Sequence, residues 1–129
     1  MSVLGMGWNS RATVEKAVAL AKTVVQDGNT SKMTHLAVPA FKHESTLPVA
    51  VASELGLQLV WISQQDMLDV QVKCQTFSQK TYSETGVASV AEACALVAAG
   101  RGAVLLVPRR AADHVTCALA GALAEGGAQ

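Results

Sequence analysis

The chain of 129 residues has no excess of charge of either sign, with 10 Lys and Arg against 10 Asp and Glu and a formal net charge of +0. Without a net field, long-range capture of nucleic acid or an anionic membrane is excluded, and a charged ligand must be gripped by a local cluster. Charged residues are scarce too, at 16%, which argues against intrinsic disorder. No uninterrupted apolar run approaches the roughly 18 residues of a membrane span. Met1 to Gly7 has neither the basic start nor the long apolar region of a signal peptide. The three cysteines, Cys74, Cys94 and Cys117, are odd in number and form no C-x-x-C pair. Buried, reduced thiols are expected, because Cys74 and His114 are too few and too far apart for zinc. The expectation is a cytoplasmic protein that needs no metal and no cofactor.

What is present suffices for one core. Half of the residues are hydrophobic, although 22 are alanines that bury little area each. The length matches a single domain over residues 1–129. Ser2 to Gly7 reads as a short apolar strand before the turn Gly7 to Arg11. Val14, Ala17, Val18, Ala21, Val24 and Val25 then repeat at helical spacing, capped by Thr13 and stopped by Asp27-Gly28-Asn29. Thr34 to Val38 reads as a strand broken by Pro39, followed by a polar loop. A helix from Leu47 to Leu55 carries Pro48 in its first turn and stops at Gly56. Leu57 to Ile62 reads as a strand, with Ser63 and Asp66 resembling a capping box. Asp66 to Val72 suits a short helix or a turn.

Lys73 to Thr85 is polar and shows no periodicity, and an unstructured stretch of this length in a small domain points to function. Ser89 then caps a helix with Glu92 three residues on, ending at Gly100, and Ala103 to Val107 is the clearest strand. His114 to Leu123 fits either helix or strand by spacing. The alternation predicts an α/β three-layer sandwich, with a largely parallel or mixed sheet and helices on both faces. In such sheets the ligand crevice lies beyond the carboxyl ends of the strands.

Several chemistries lack their motif. Gly5-Met6-Gly7-Trp8-Asn9-Ser10 begins like a dinucleotide fingerprint but has no third glycine and no acidic residue about 20 positions on. That loop is a tight turn, or an anion site using backbone N–H groups beside Arg11. No Gly-x-Ser-x-Gly elbow is present. Lys42-His43-Glu44 is either a solvated loop or part of the crevice wall. Glu92 serves the Ser89 capping box or, with Glu84 across Gly86, acid–base work. His114 and Cys117 could mimic a thiol–imidazole pair, or belong to the core. Arg109 and Arg110 follow the strongest strand; with Arg11, Lys42 and Lys80 they form a group of cations on loops, suited to a small polyanion.

Gly86-Val87-Ala88-Ser89-Val90-Ala91-Glu92-Ala93-Cys94-Ala95-Leu96 resembles the signature helix of the CobE family and of the C-terminal domain of CbiG, proteins of cobalamin biosynthesis. Further matches run in order along nearly the whole chain. They are Gly5-Met6-Gly7 with Arg11, Lys42-x-Glu44, Ser78, Arg109 (where relatives more often carry lysine), and the closing Val115 to Ala120, which this likeness makes a strand. The resemblance implies a precorrin or corrinoid ligand rich in carboxylates, bound at Gly7, Asn9, Ser10, Arg11, Lys42, Glu44, Ser78, Gly86, Ser89, Glu92 and Arg109. Trp8 and Phe41 would either stack on the macrocycle or fill the core. CbiG-type proteins open a precorrin lactone, so Glu44 and Glu92 are the candidate catalytic residues if a reaction occurs here. A carrier or accessory role in the aerobic pathway is the first expectation. A hydrolase or lyase is the second, and a structural partner of another cobalamin-biosynthesis enzyme the third.

Overall fold

The computed structural model describes residues 2–28 and 33–122. Strand β1 (Ser2–Trp8) leads into helix α1 (Val14–Asp27), whose N-cap Thr13 accepts the Lys16 N–H as its sequence suggests. Gly28 caps the other end in ordinary right-handed backbone; Asn29 lies outside the described residues. Strand β2 (Met33–Pro39) ends on its proline and passes through a 3-10 turn at Ala40–Lys42 to α2 (Leu47–Leu55). Pro48 sits in the first turn of α2, and Gly56 takes the left-handed conformation at φ 71° that releases the chain into β3 (Gln58–Ile62). Helix α3 (Gln64–Asp69) starts two residues earlier than the expected Asp66 to Val72, because Ser63 accepts the Asp66 N–H, and it ends at Asp69.

Residues 73–85 are not structureless. After a 3-10 turn at Gln71–Lys73, they contain helix α4 (Gln79–Thr85), with Ser78 as N-cap and Gly86 as left-handed C-cap. None of its residues is buried, so no apolar stripe announces it. It is held instead by local bonds, including Thr85 Oγ1 to the Thr81 carbonyl at 2.7 Å. Helix α5 (Val90–Ala99) follows, and then β4 (Ala103–Ala112) and β5 (Val115–Ala122) form a hairpin. The tail is therefore strand as far as it is described, while Leu123 lies outside the described residues.

The five strands form one mixed sheet in the order β3-β2-β1-β5-β4. The β1–β2 and β2–β3 pairs are parallel, and β1–β5 and β4–β5 antiparallel. Alternate residues supply the two faces, as strand geometry requires. Leu4, Met6, Leu36, Val38, Cys117 and Leu119 pack with Ala17, Leu20 and Val24 of α1 and Val51 of α2. On the opposite face Val3, Ala37 and Ile62 meet Met67 of α3 and Ala93 and Cys94 of α5. This is the α/β sandwich expected, with helices on both faces. No helix among the described residues is long and apolar enough to cross a membrane.

Gly5 sets how closely α5 lies on the sheet. A Cβ there would come within 2.0 Å of the Ala91 carbonyl and 2.9 Å of the Ala95 Cβ. Glycine on the strand and alanines on the helix thus let the two backbones nearly touch. The contact brings the start of α5 over the carboxyl end of β1.

Candidate functional site

The carboxyl ends of β1, β2 and β4 lie along one edge of the sheet, with the start of β5 between them. There, beneath α4, is an open crevice of about 460 Å³. Its walls come from Gly7, Trp8 and Asn9 after β1, from Pro39, Phe41 and Lys42 after β2, and from the β4–β5 hairpin. Ser78, Lys80, Thr81, Glu84 and Thr85 of α4 and its cap form the roof, and Ser89 and Val90 the inner end.

Of the residues singled out in the sequence, the crevice brings together Gly7, Asn9, Lys42, Ser78, Ser89 and Arg109. It also exposes Phe41, 45% accessible, while Trp8 lines the crevice but is half-buried and packs against the core as well. Lys42 is held close to Trp8. Its Nζ donates to the Trp8 carbonyl and lies 5.0 Å from the centre of the indole ring, within cation–π range. Burial depresses the Lys42 pKa below the ordinary lysine value, while the nearby Glu84 carboxylate partly offsets this.

Arg109 owes its place to an irregularity in β4. Pairing passes from Val107↔Leu119 to Arg110↔Cys117, so Pro108 and Arg109 together oppose Ala118. The bulge turns the Arg109 N–H away from β5, and it donates to Glu92 Oε2 at 2.8 Å. β4 is an edge strand, where a proline costs no ladder bond on its open side. β4 runs on to Ala112 rather than ending at Val107, which puts the two arginines within the strand and sends them apart. Arg110 pairs with Asp27 of α1 at 2.5 Å and does not reach the crevice.

Glu92 lies below the crevice, fully buried. The capping box is only half made: Ser89 Oγ accepts the Glu92 N–H at 3.4 Å. The carboxylate instead accepts Gln75 N at 2.8 Å, Thr76 N at 2.9 Å and Thr76 Oγ1 at 2.8 Å, besides Arg109 N. It thereby ties the segment leading to α4 to the bulge in β4. Those bonds occupy the oxygens a general base would need. Glu44 is exposed and contributes to no wall of the crevice.

Other expectations are revised by specific bonds. The Gly7–Arg11 loop is a tight turn closed on itself, not a cradle of free N–H groups. Asn9 N donates to the His114 carbonyl, Ala12 N to the Asn9 carbonyl, and Arg11 N to Asn9 Oδ1. Ser10 and Arg11 are exposed outside the crevice. Gly86 does not line it either, and serves as the turn ending α4. The cation group therefore shrinks to Lys42, Lys80 and Arg109, still outnumbering the crevice carboxylates Glu84 and Asp113. His114 and Cys117 form no pair, since Cys117 is buried under α1 and His114 stands exposed at the hairpin tip.

Sequence reading missed the roof residues Thr81 and Thr85 and the hairpin tip, Asp113-His114. The tip had a legible signal: two residues between alternating apolar runs are the commonest hairpin loop. Cys94 and Cys117 are buried as expected, whereas Cys74 is only half-buried; burial pushes Cys74 up to about 11 and Cys117 to about 12, and raises Cys94 as well. Among the described residues no cluster of His, Cys, Asp and Glu suits a metal ion.

Comparison with known proteins gives the family and the same fold. The family model described as "Cobalamin synthesis G C-terminus" matches residues 2–120. A curated relative, Protein CobE of Sinorhizobium sp, is 30% identical over 121 residues, covering 92% of this chain and 79% of the relative. The 1.7 Å crystal structure of CobE, a protein from the cobalamin (vitamin B12) biosynthetic pathway, superposes with a TM-score of 0.86 at 27% identity, covering 93% of this chain and 89% of the other. The crystal structure of cobalamin biosynthesis protein chiG from Agrobacterium tumefaciens str. C58 gives 0.76 at 30% identity, over 95% and 99%.

Proposed function

The chain belongs to the cobalamin synthesis G C-terminus family, and from that premise we propose that it binds a precorrin-type intermediate of cobalamin biosynthesis as a carrier. The ligand's carboxylate arms would be taken by Lys42, Lys80 and Arg109. The observation that carries this reading is one crevice uniting those cations with the exposed ring of Phe41 and the half-buried ring of Trp8. A flat macrocycle with acetate and propionate arms needs that combination: an aromatic surface for its face and charge-assisted donors for its rim.

The crevice is too small to swallow such a ligand. At about 460 Å³ it lies in the lower part of the range for drug-sized molecules, whereas a tetrapyrrole with its arms is larger. One edge of the ring is held and the rest stays accessible, as a protein that hands its cargo onward requires. The carrier role is supported over water activation because Glu92 is occupied and Glu44 stands outside.

The test is a titration with cobyrinic acid and a set of metal-free precorrins, read by visible spectrum and by mass of the recovered ligand. Micromolar binding with unchanged ligand mass is the expected result. Absence of any spectral shift across the panel would overturn the reading, and a changed mass would replace carrier with catalyst. The fully methylated ester of cobyrinic acid, which keeps the macrocycle but not the charges, should bind at least tenfold more weakly.

A further inference from the structure

The hairpin tip is an unusual place for a histidine. Asp113 and His114 are the two loop residues between paired Ala112 and Val115, and both have positive φ, 50° and 71°. A two-residue loop of this kind is dominated by Asn-Gly and Asp-Gly, because a side chain in the left-handed region is crowded by its own backbone. Asp-Gly would satisfy the turn, so the imidazole at the second position is not there for the turn's sake.

The ring is also fixed in one tautomer. Arg11 N carries a hydrogen and donates to Asn9 at 2.9 Å, so the atom it meets must be the amide oxygen, Oδ1. That settles which way the Asn9 amide lies. Its other atom, the Nδ2 donor, is 3.1 Å from His114 Nδ1. Nδ1 must therefore be the accepting nitrogen, and in the neutral ring the hydrogen resides on Nε2. The Asn9 N–H bond to the His114 carbonyl at 3.2 Å fastens the same residue through its backbone. Asn9 thus clamps both the loop and the ring, and His114 lines the crevice. No hydrogen bond among the described residues uses Nε2.

We propose that His114 is a recognition residue of the crevice, held by Asn9 as the Nε2–H tautomer so that it donates a hydrogen bond to one carboxylate of the ligand. The assignment rests on the proposed function for the identity of that ligand. It adds a specific role: His114 is a donor rather than a metal ligand, because coordination through Nε2 would move the hydrogen to Nδ1, against the Asn9 amide hydrogen. The amide cannot simply turn over to accept it, since Oδ1 is already committed to Arg11 N.

Two measurements test this. Long-range proton–nitrogen correlation on the histidine-labelled full chain, in alkaline buffer without ligand, should show His114 protonated at Nε2; protonation at Nδ1 overturns the assignment. Cobyrinic acid is then titrated into wild type, His114→Gly and His114→Gln. His114→Gly should fold with an unchanged or higher Tm while its Kd rises about tenfold, the worth of one charge-assisted hydrogen bond. His114→Gln, which restores a donor, should recover part of the loss. If wild type binds and His114→Gly binds equally well, the assignment fails and the proposed function stands. If wild type binds neither the acid nor any of the metal-free precorrins, both fail together; if it binds only a precorrin, the same comparison is made with that ligand.

Discussion

The carboxylate of Glu92 receives four hydrogen bonds from two separate parts of the chain. Its role is to set the distance between the crevice's roof and floor. In Glu92→Gln the amide oxygen can still accept the Gln75 and Thr76 N–H groups, but the new NH2 confronts the Arg109 N–H. That single buried mismatch should cost about 1–3 kcal/mol, read by urea denaturation. Amide exchange should accelerate selectively at Arg109. Lys42 shows the opposite balance. Burial lowers its pKa, so its charged form is costly to the fold, and stability rises slightly as pH rises through the folded value towards the unfolded one. Lys42→Met should leave Tm within a few degrees of wild type yet weaken polycarboxylate binding about tenfold. In wild type the same affinity should fall as pH climbs through the lowered Lys42 pKa, because the neutral amine no longer attracts a carboxylate. A titration across alkaline pH checks that sign.

At the scale of elements, the contact between β1 and α5 is the least forgiving. Gly5→Ala would thrust a methyl within 2.0 Å of the Ala91 carbonyl, a backbone atom with no freedom to yield. The helix must lift, at a cost of about 3 kcal/mol, taking Ser89 and Glu92 with it. Thermal unfolding should show the loss, and ligand affinity should fall along with it. Elements whose stability is written in their own residues were readable from the chain. The valine and alanine stripe of α1 and its Thr13 cap are examples, as is the Ser89 start of α5. Helix α4 was not, because it buries nothing and so leaves no period to find. The extension of β4 through Pro108 was hidden for another reason: proline normally ends a strand, and only an edge position with a bulge tolerates it.

For the whole molecule, the three thiols make alkali the weak side of the fold. In the unfolded chain a thiol ionises near about pH 8.5. In the fold, Cys74 is held up to about 11, Cys117 to about 12, and Cys94 is raised too. Each native thiol keeps a proton that the unfolded chain releases. Their contribution is complete below the unfolded pKa and is lost as pH rises towards the folded values. Stability should therefore fall progressively as pH rises above about 9, with buried Cys94 and Cys117 contributing more than half-buried Cys74. Denaturation at stepped alkaline pH checks this, and replacing all three cysteines by alanine should flatten the slope. The neutral total charge also acquires a shape: cations exceed carboxylates at the crevice, while Arg110 and Asp27 cancel on the opposite face. Binding of a polycarboxylate should accordingly weaken with added salt, but modestly, since no extended field assists it.

From its sequence alone the chain was committed to alternating strands and helices, to reduced thiols, and to a family likeness that named Lys42, Ser78 and Arg109. Periodicity, caps and breakers act between near neighbours, so a linear reading captures them. The tertiary structure decided which candidates meet. Arg109 turns into the crevice and Arg110 away because neighbouring strand residues point to opposite faces, and the bulge at Pro108–Arg109 sets which of them faces which way. Glu92 becomes a buried strut because α5 lies against a glycine. His114 joins Asn9 across 105 positions of sequence because a two-residue hairpin ends beside the β1 loop. Strand pairing and side-chain direction are properties of distant segments brought together, and spacing along the chain does not encode them.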